Sequence, residues 1–268
     1  MNGIIQLFKF MTRFPLFGST PENEGELGKS MKFFPLVGFA IGVVLYIFLW
    51  ILAKLLPGGH IFVITTIIAA IGVMITGDMH LRGLAATYDS IFKYRSRQKM
   101  LDMMKDDVSI GTNGAMALGI ALLLKIFLLG AMLPKYPSLI MLVPVAGRLN
   151  CVVNCTYIGA AKNTGKAKLF ADNTKVADLM AAVLITVGVV AVSMIFVPSF
   201  ANYRLILFFL TLFAFAATVI AGYLFGYWMK KRIGGITGHT LGAVVEQSEV
   251  LFLLIIYMVL AGTFTGYL

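Results

Sequence analysis

Residues 204–229 read RLILFFLTLFAFAATVIAGYLFGYWM. Arg204 opens the stretch, and no second charge follows until Lys230. A helix needs about 20 mainly apolar residues to cross the hydrocarbon core of a bilayer, and this stretch exceeds that length. Lipid offers the backbone no hydrogen-bond partner, so such a run must be helical. The dyad alternation of a barrel strand is absent. Six further apolar runs can be read, at about 33–56, 61–77, 115–133, 138–158, 179–197 and 241–262. The 268-residue chain is 59% hydrophobic and 13% charged, with a mean hydropathy of +0.91. A soluble globular domain has a far larger charged share. The fold predicted is all-α: one polytopic integral membrane helix bundle over residues 1–268, with about seven transmembrane helices.

The basic residues set the orientation. With a cytosolic N-terminus, segments 1–32, 78–114, 159–178 and 230–240 face the cytosol and carry 17 of the 22 Lys and Arg. Lys54, Lys135 and Arg204 fall outside, and Lys125 and Arg148 lie within helices. The net charge of +10 therefore reads as topology and as attraction to anionic headgroups, and it does not call for nucleic acid. The opening MNGIIQLFKFMTRFPLF is amphipathic, with Lys9 and Arg13, and lacks a small-residue cleavage site. It reads as a short helix lying in the interface, followed by a polar loop to residue 32. Cys151 and Cys155, one helical turn apart, read as packing residues.

All 12 acidic residues fall on the same side in this topology. A solute channel needs polar groups along its whole length, so the clustering favours a site that opens to the cytosol. The richest segment is 78–114, into which the second long helix is predicted to continue. On that helix Asp78, Arg82, Ala86 and Asp89 share one face, and Asp78 and Arg82 can pair at i,i+4. A basic run, Lys93, Arg95, Arg97 and Lys99, is followed by Asp102, Asp106 and Asp107, and Gly111 and Gly114 end the segment. Carboxylates for Mg²⁺ beside cations for phosphate oxygens are what a metal-bound diphosphate requires. KKRIGGITGHTLGAVVEQSE, 230–249, repeats the theme with a Gly- and Thr-rich turn before Glu246 and Glu249. Glycines there let the backbone approach a phosphate. Arg148, inside an apolar run, demands a partner or a cavity, whereas Lys125 could snorkel.

These segments resemble the cobalamin synthase family, the membrane-embedded adenosylcobinamide-GDP ribazoletransferases. The resemblance rests on TRFPLF (12–17), FFPLVGFAIG (33–42), GDMHLRGLAATYDSIF, RSRQKMLDMMKDDVSIGTNG, VPVAGR and RIGGITGHTLGAVVE, in the family's order. The chain departs from it at three acidic positions, holding Arg82, Ala86 and His239 where the family usually has Asp, and GAAKNTGKA at 159–167 is eroded. The resemblance implies a phosphoryl transfer. The 3′-hydroxyl of α-ribazole, or of its 5′-phosphate, attacks the cobinamide-linked phosphorus of adenosylcobinamide-GDP, and GMP leaves. It further implies Mg²⁺, expected on Asp89, Asp102, Asp106 and Glu246, with His80, Asp89 and Asp106 as the catalytic set. Substrate is expected at Arg13, Lys105, Arg148, Lys231, Gly235, Thr237 and Thr240. The expected location is the prokaryotic inner membrane, with the active face cytosolic. A cation in place of the acid at position 82 repels a metal, since unit charges about 4 Å apart interact by roughly 4 kcal/mol at an effective dielectric of 20. Two rival readings stay open: a non-catalytic corrinoid-binding scaffold, and a transporter of corrinoids or other organic anions. The sequence also leaves a homo-oligomer or a corrinoid-assembly complex open.

Overall fold

The structure is a computed structural model that describes residues 2–13, 23–57, 60–105, 110–197 and 203–263. Its centre is the least apolar of the long runs. Helix α8 (Val143–Tyr157) follows a 3₁₀ turn at Pro137–Met141, and almost the whole of this span is buried within the protein. Its sequence explains the position. Arg148, Asn150 and Asn154 cannot face lipid, so the helix that carries them is wrapped by the other long helices.

Five other helices are long and apolar enough to cross a membrane. They lie within α3 (Phe34–Leu55) with its preceding 3₁₀ turn, α7 (Thr112–Met132), α10 (Val176–Ser193) with its following 3₁₀ turn, α11 (Arg204–Ile233) and α12 (Gly238–Thr263). The seventh apolar run forms α4 (Ile61–Thr76). The chain is thus a multi-pass membrane protein of all-α class.

Between lipid-facing helices there is no hydrophobic drive to associate, so close packing of small residues decides who touches whom. Two Gly-x-x-x-Gly pairs clasp α8. On α3, Gly38 and Gly42 lie against its preceding turn and first residues: a Cβ on Gly38 would meet the Pro144 carbonyl at 2.7 Å, and one on Gly42 would strike the Met141 carbonyl. On α11, Gly222 and Gly226 make room for the amides of Asn150 and Asn154. Asn150 donates to the Thr218 carbonyl at 3.0 Å and to Ser248 Oγ at 2.8 Å, and Asn154 donates to the Gly222 carbonyl at 3.2 Å.

The expected continuation of α4 through residue 78 does not occur. α4 ends at Thr76, Gly77 takes φ +68°, and a new helix, α5 (Met79–Lys93), leaves at 94° to the first. A left-handed φ is open to glycine at little cost, so one residue suffices to turn the chain. α5 then packs along α12, with Gly83 against the His239 carbonyl and Gly242 against the His80 backbone. The amphipathic start forms α1 (Asn2–Met11), which packs against α2 (Glu24–Gly28) and α3 and buries Leu7 and Met11. Short helices α6 (Arg97–Met103) and α9 (Lys166–Asn173) complete the end of the bundle where the polar loops gather.

Candidate functional site

At that end lies a cleft of about 510 Å³. Four remote segments supply most of it: the end of α1, the α4–α5 bend, the loop before α9 with the start of α9, and the start of α12; Phe34, Met104 and Cys151 complete the lining among the described residues. The Arg13 backbone N–H donates to the Ile75 carbonyl at 2.7 Å, which ties the end of α1 to the end of α4. Arg13 lays its guanidinium over Gly77; a Cβ there would meet Nε at 2.7 Å. The loop 159–165 is held against the α11–α12 turn by a short bridge: Ala161 donates to the Ile236 carbonyl and Ile236 to the Gly159 carbonyl, each at 2.8 Å. Arg97 supports this join, donating from Nε to the Ile233 carbonyl at 2.8 Å. Phe170 of α9 meets Phe10 and Phe34 edge-on at 5.5 and 5.4 Å, so one wall is aromatic.

The charges on the cleft are mostly positive. Among the described residues Arg13, Arg82, Lys162 and Lys166 line it, with His80 and His239, against a single carboxylate, Asp78. Asp78 is ion-paired with Arg82, as the i,i+4 spacing predicts, and that hydrogen bond leads the influences that hold its carboxyl below the usual range. Lys166 pairs with Glu24 at 3.0 Å. His80 is buried on the same wall, and its Nε2 has no hydrogen-bond partner among the described residues.

The sequence-predicted residues divide sharply. Arg13, His80 and Thr237 reach the cleft, as do Arg82 and His239. Asp89 does not. It is buried, and its carboxylate accepts the Gly111 N–H at 2.7 Å and the Gly114 N–H at 2.8 Å, so it caps the start of α7. Asp102 is exposed on α6, with Gln98 and Lys105 as partners at 2.9 and 3.3 Å. Lys105 stands beside it, outside the cleft lining. Asp106 lies outside the described residues, as does Asp107. Glu246 is buried deeper, with Lys125 at 2.6 Å; Glu249 takes the same ammonium at 2.7 Å and also pairs with Arg148. Lys125 therefore does not snorkel, and Arg148 is matched inside the bundle. Lys231 is exposed and stacks over Tyr227, with Nζ 4.7 Å from the ring centre. Gly235 packs on the 159–161 loop, and Thr240 caps α12, its Oγ1 accepting the Thr237 N–H at 2.7 Å. Ala86 is not among the residues that line the cleft.

A Mg²⁺ site asks for several oxygen ligands on one hollow. Among the described residues no three His, Cys, Asp or Glu side chains come together to supply one. Of the carboxylates expected as ligands, Asp89 is occupied by backbone N–H groups and Glu246 by Lys125; Asp78, on the cleft itself, is occupied by Arg82. The described residues do not fit the metal. What they fit is a polyanion.

Sequence reasoning passed over Lys162, Thr164 and Lys166, which enter the cleft from the segment GAAKNTGKA. It also passed over a repeated spacing. His80 precedes Gly83 by three residues, and His239 precedes Gly242 by three. The two glycines let α5 and α12 touch, and that contact sets both imidazoles on the same cleft.

Comparison with known proteins agrees with the resemblance in the motifs. The adenosylcobinamide-GDP ribazoletransferase of Fusobacterium nucleatum is 36% identical, with 99% of this chain and all of the relative covered. Those of Clostridioides difficile and Acetivibrio thermocellus are 32% and 33% identical, over 97% and 96% of this chain and 98% of each relative. No solved structure matches the chain. The family profile of cobalamin-5-phosphate synthase matches residues 3–257, and the chain belongs to that family.

Proposed function

We propose that this chain is an adenosylcobinamide-GDP ribazoletransferase, acting on the cytosolic side of a prokaryotic inner membrane. The observation that carries the reading is the cationic cleft, in a chain that matches relatives of that name over nearly its whole length. A cleft of about 510 Å³ suits a nucleotide-sized ligand, so the corrin ring would project past its rim. The cations would hold the non-bridging oxygens of the diphosphate, and the aromatic wall of Phe10, Phe34 and Phe170 would take the flat base of the ribazole. The ribazole hydroxyl attacks the cobinamide-linked phosphorus. A phosphorus–oxygen bond forms as the diphosphate bridge breaks, and GMP carries away the bridging oxygen. His80, with its unpartnered Nε2, would accept the hydroxyl proton. Positioning and charge stabilisation supply the remainder, as phosphoryl transfer requires.

The test is GMP release by the purified chain in lipid nanodiscs, given adenosylcobinamide-GDP and α-ribazole. Product at rates above the protein-free control supports the transferase. Binding of adenosylcobinamide-GDP without product supports the scaffold, and uptake into sealed vesicles supports the transporter.

A further inference from the structure

We propose that the cleft neutralises a diphosphate with its own side-chain cations and needs no resident divalent metal to do so. The inference rests on the transferase reading only for what the diphosphate is attached to. Among the described residues four cationic side chains reach the cleft, Arg13, Arg82, Lys162 and Lys166, and of the described lining residues only Asp78 carries a carboxylate. Two of the four, Arg82 and Lys166, have an acidic partner, Asp78 and Glu24, and those partners hold them in place. Neither Arg13 nor Lys162 has a carboxylate within ion-pair distance among the described residues, so their charge is directed at whatever enters.

The chain spends backbone conformation on this arrangement. Gly77, at φ +68°, both turns the chain and leaves the space that the Arg13 guanidinium fills. A guanidinium in a fixed position offers paired N–H donors to phosphate oxygens, which a mobile lysine does not. The opposite requirement, oxygen ligands for a hard cation, is unmet among the described residues. The described buried carboxylates nearby, Asp89, Glu246 and Glu249, are bound to backbone N–H groups or to Lys125 and Arg148, and none of the three lines the cleft. Placing Mg²⁺ against that ring of cations would oppose like charges; a diphosphate would meet opposite ones.

The test uses inorganic pyrophosphate as probe, titrated calorimetrically into the full chain in nanodiscs of uncharged lipid. Saturable binding in EDTA, no weaker than in excess Mg²⁺, is expected. Lys162→Gln and Arg13→Gln should each weaken it by about tenfold, the scale of one charge-assisted hydrogen bond. Lys54→Gln, on the far side of the predicted bilayer, should leave it unchanged. If Arg13→Gln fails to fold, the loop variant Lys162→Gln decides alone. Binding that appears only with Mg²⁺, no binding in either condition, or binding indifferent to Lys162 overturns the inference. GMP release is scored separately. If it fails while metal-free pyrophosphate binding persists, the transferase reading falls and this one stands. If it proceeds while binding demands Mg²⁺, the reverse holds.

Discussion

Lys125 and Arg148 are the cations that interrupt apolar runs, and α12 answers both with Glu246 and Glu249. Each partner is justified only by the other, because removing one leaves a charge stranded away from water. Lys125→Met should therefore lower the denaturation midpoint in detergent by the equivalent of about 3–5 kcal/mol, and adding Glu246→Gln should recover much of the loss. An unchanged midpoint in the single variant would show the cluster to be hydrated. Lys162 makes a different prediction. Burial, and then Lys105 nearby, hold its ammonium below the 10.5 of a free lysine. The charged form attracts the anion, so its contribution is complete well below that lowered value and is lost as pH rises through it. Pyrophosphate affinity should decline in the alkaline range earlier than a free lysine would dictate, and Lys162→Arg should flatten the decline. The same profile in both proteins would separate the decline from Lys162. Arg148 announced its need for a partner in the sequence, since a buried guanidinium demands one. Asp89 did not announce its role. A carboxylate on a polar helix face reads as a ligand until the fold brings two amide N–H groups to it.

The helices themselves followed from hydropathy, because a run of lipid-compatible length has one solution for its backbone hydrogen bonds. The bend at Gly77 did not. One glycine within a helical pattern is tolerated as often as it breaks, and only the packing of α5 on α12 and of Arg13 on Gly77 selects the broken form. Glycine pairs were equally silent, since spacing alone does not say which neighbour approaches. Their effect is measurable. Gly42→Ala should destabilise the bundle, because the new Cβ meets backbone at Met141, which cannot turn aside. Gly119→Ala, with nothing within 4 Å, should be neutral or gain up to about 1 kcal/mol. Equal midpoints for the two variants would mean that α3 and the start of α8 do not pack at that distance.

For the assembled chain, the distribution of Lys and Arg makes a claim about sidedness that chemistry can check. In right-side-out vesicles, a cysteine placed at Lys135 should react with an impermeant maleimide, and one placed at Lys162 should react only after the membrane is opened. The reverse pattern would invert the topology and put the cleft outside. The architecture was legible at this level because lipid imposes it run by run. The cleft was legible only in part, because its walls come from segments far apart in the chain, and pattern reading favours what is close in sequence.

That separation has a consequence for biogenesis. Phe10, Met11 and Arg13 leave the ribosome long before Ile236 to Gly242 are made. A nascent chain halted anywhere before α12 holds one face of its cleft with no opposite face to meet it. No proteolytic stub or premature stop that lacks α12 should retain even weak affinity for the anion, and ligand capture becomes a proofreading mark for insertion through that helix.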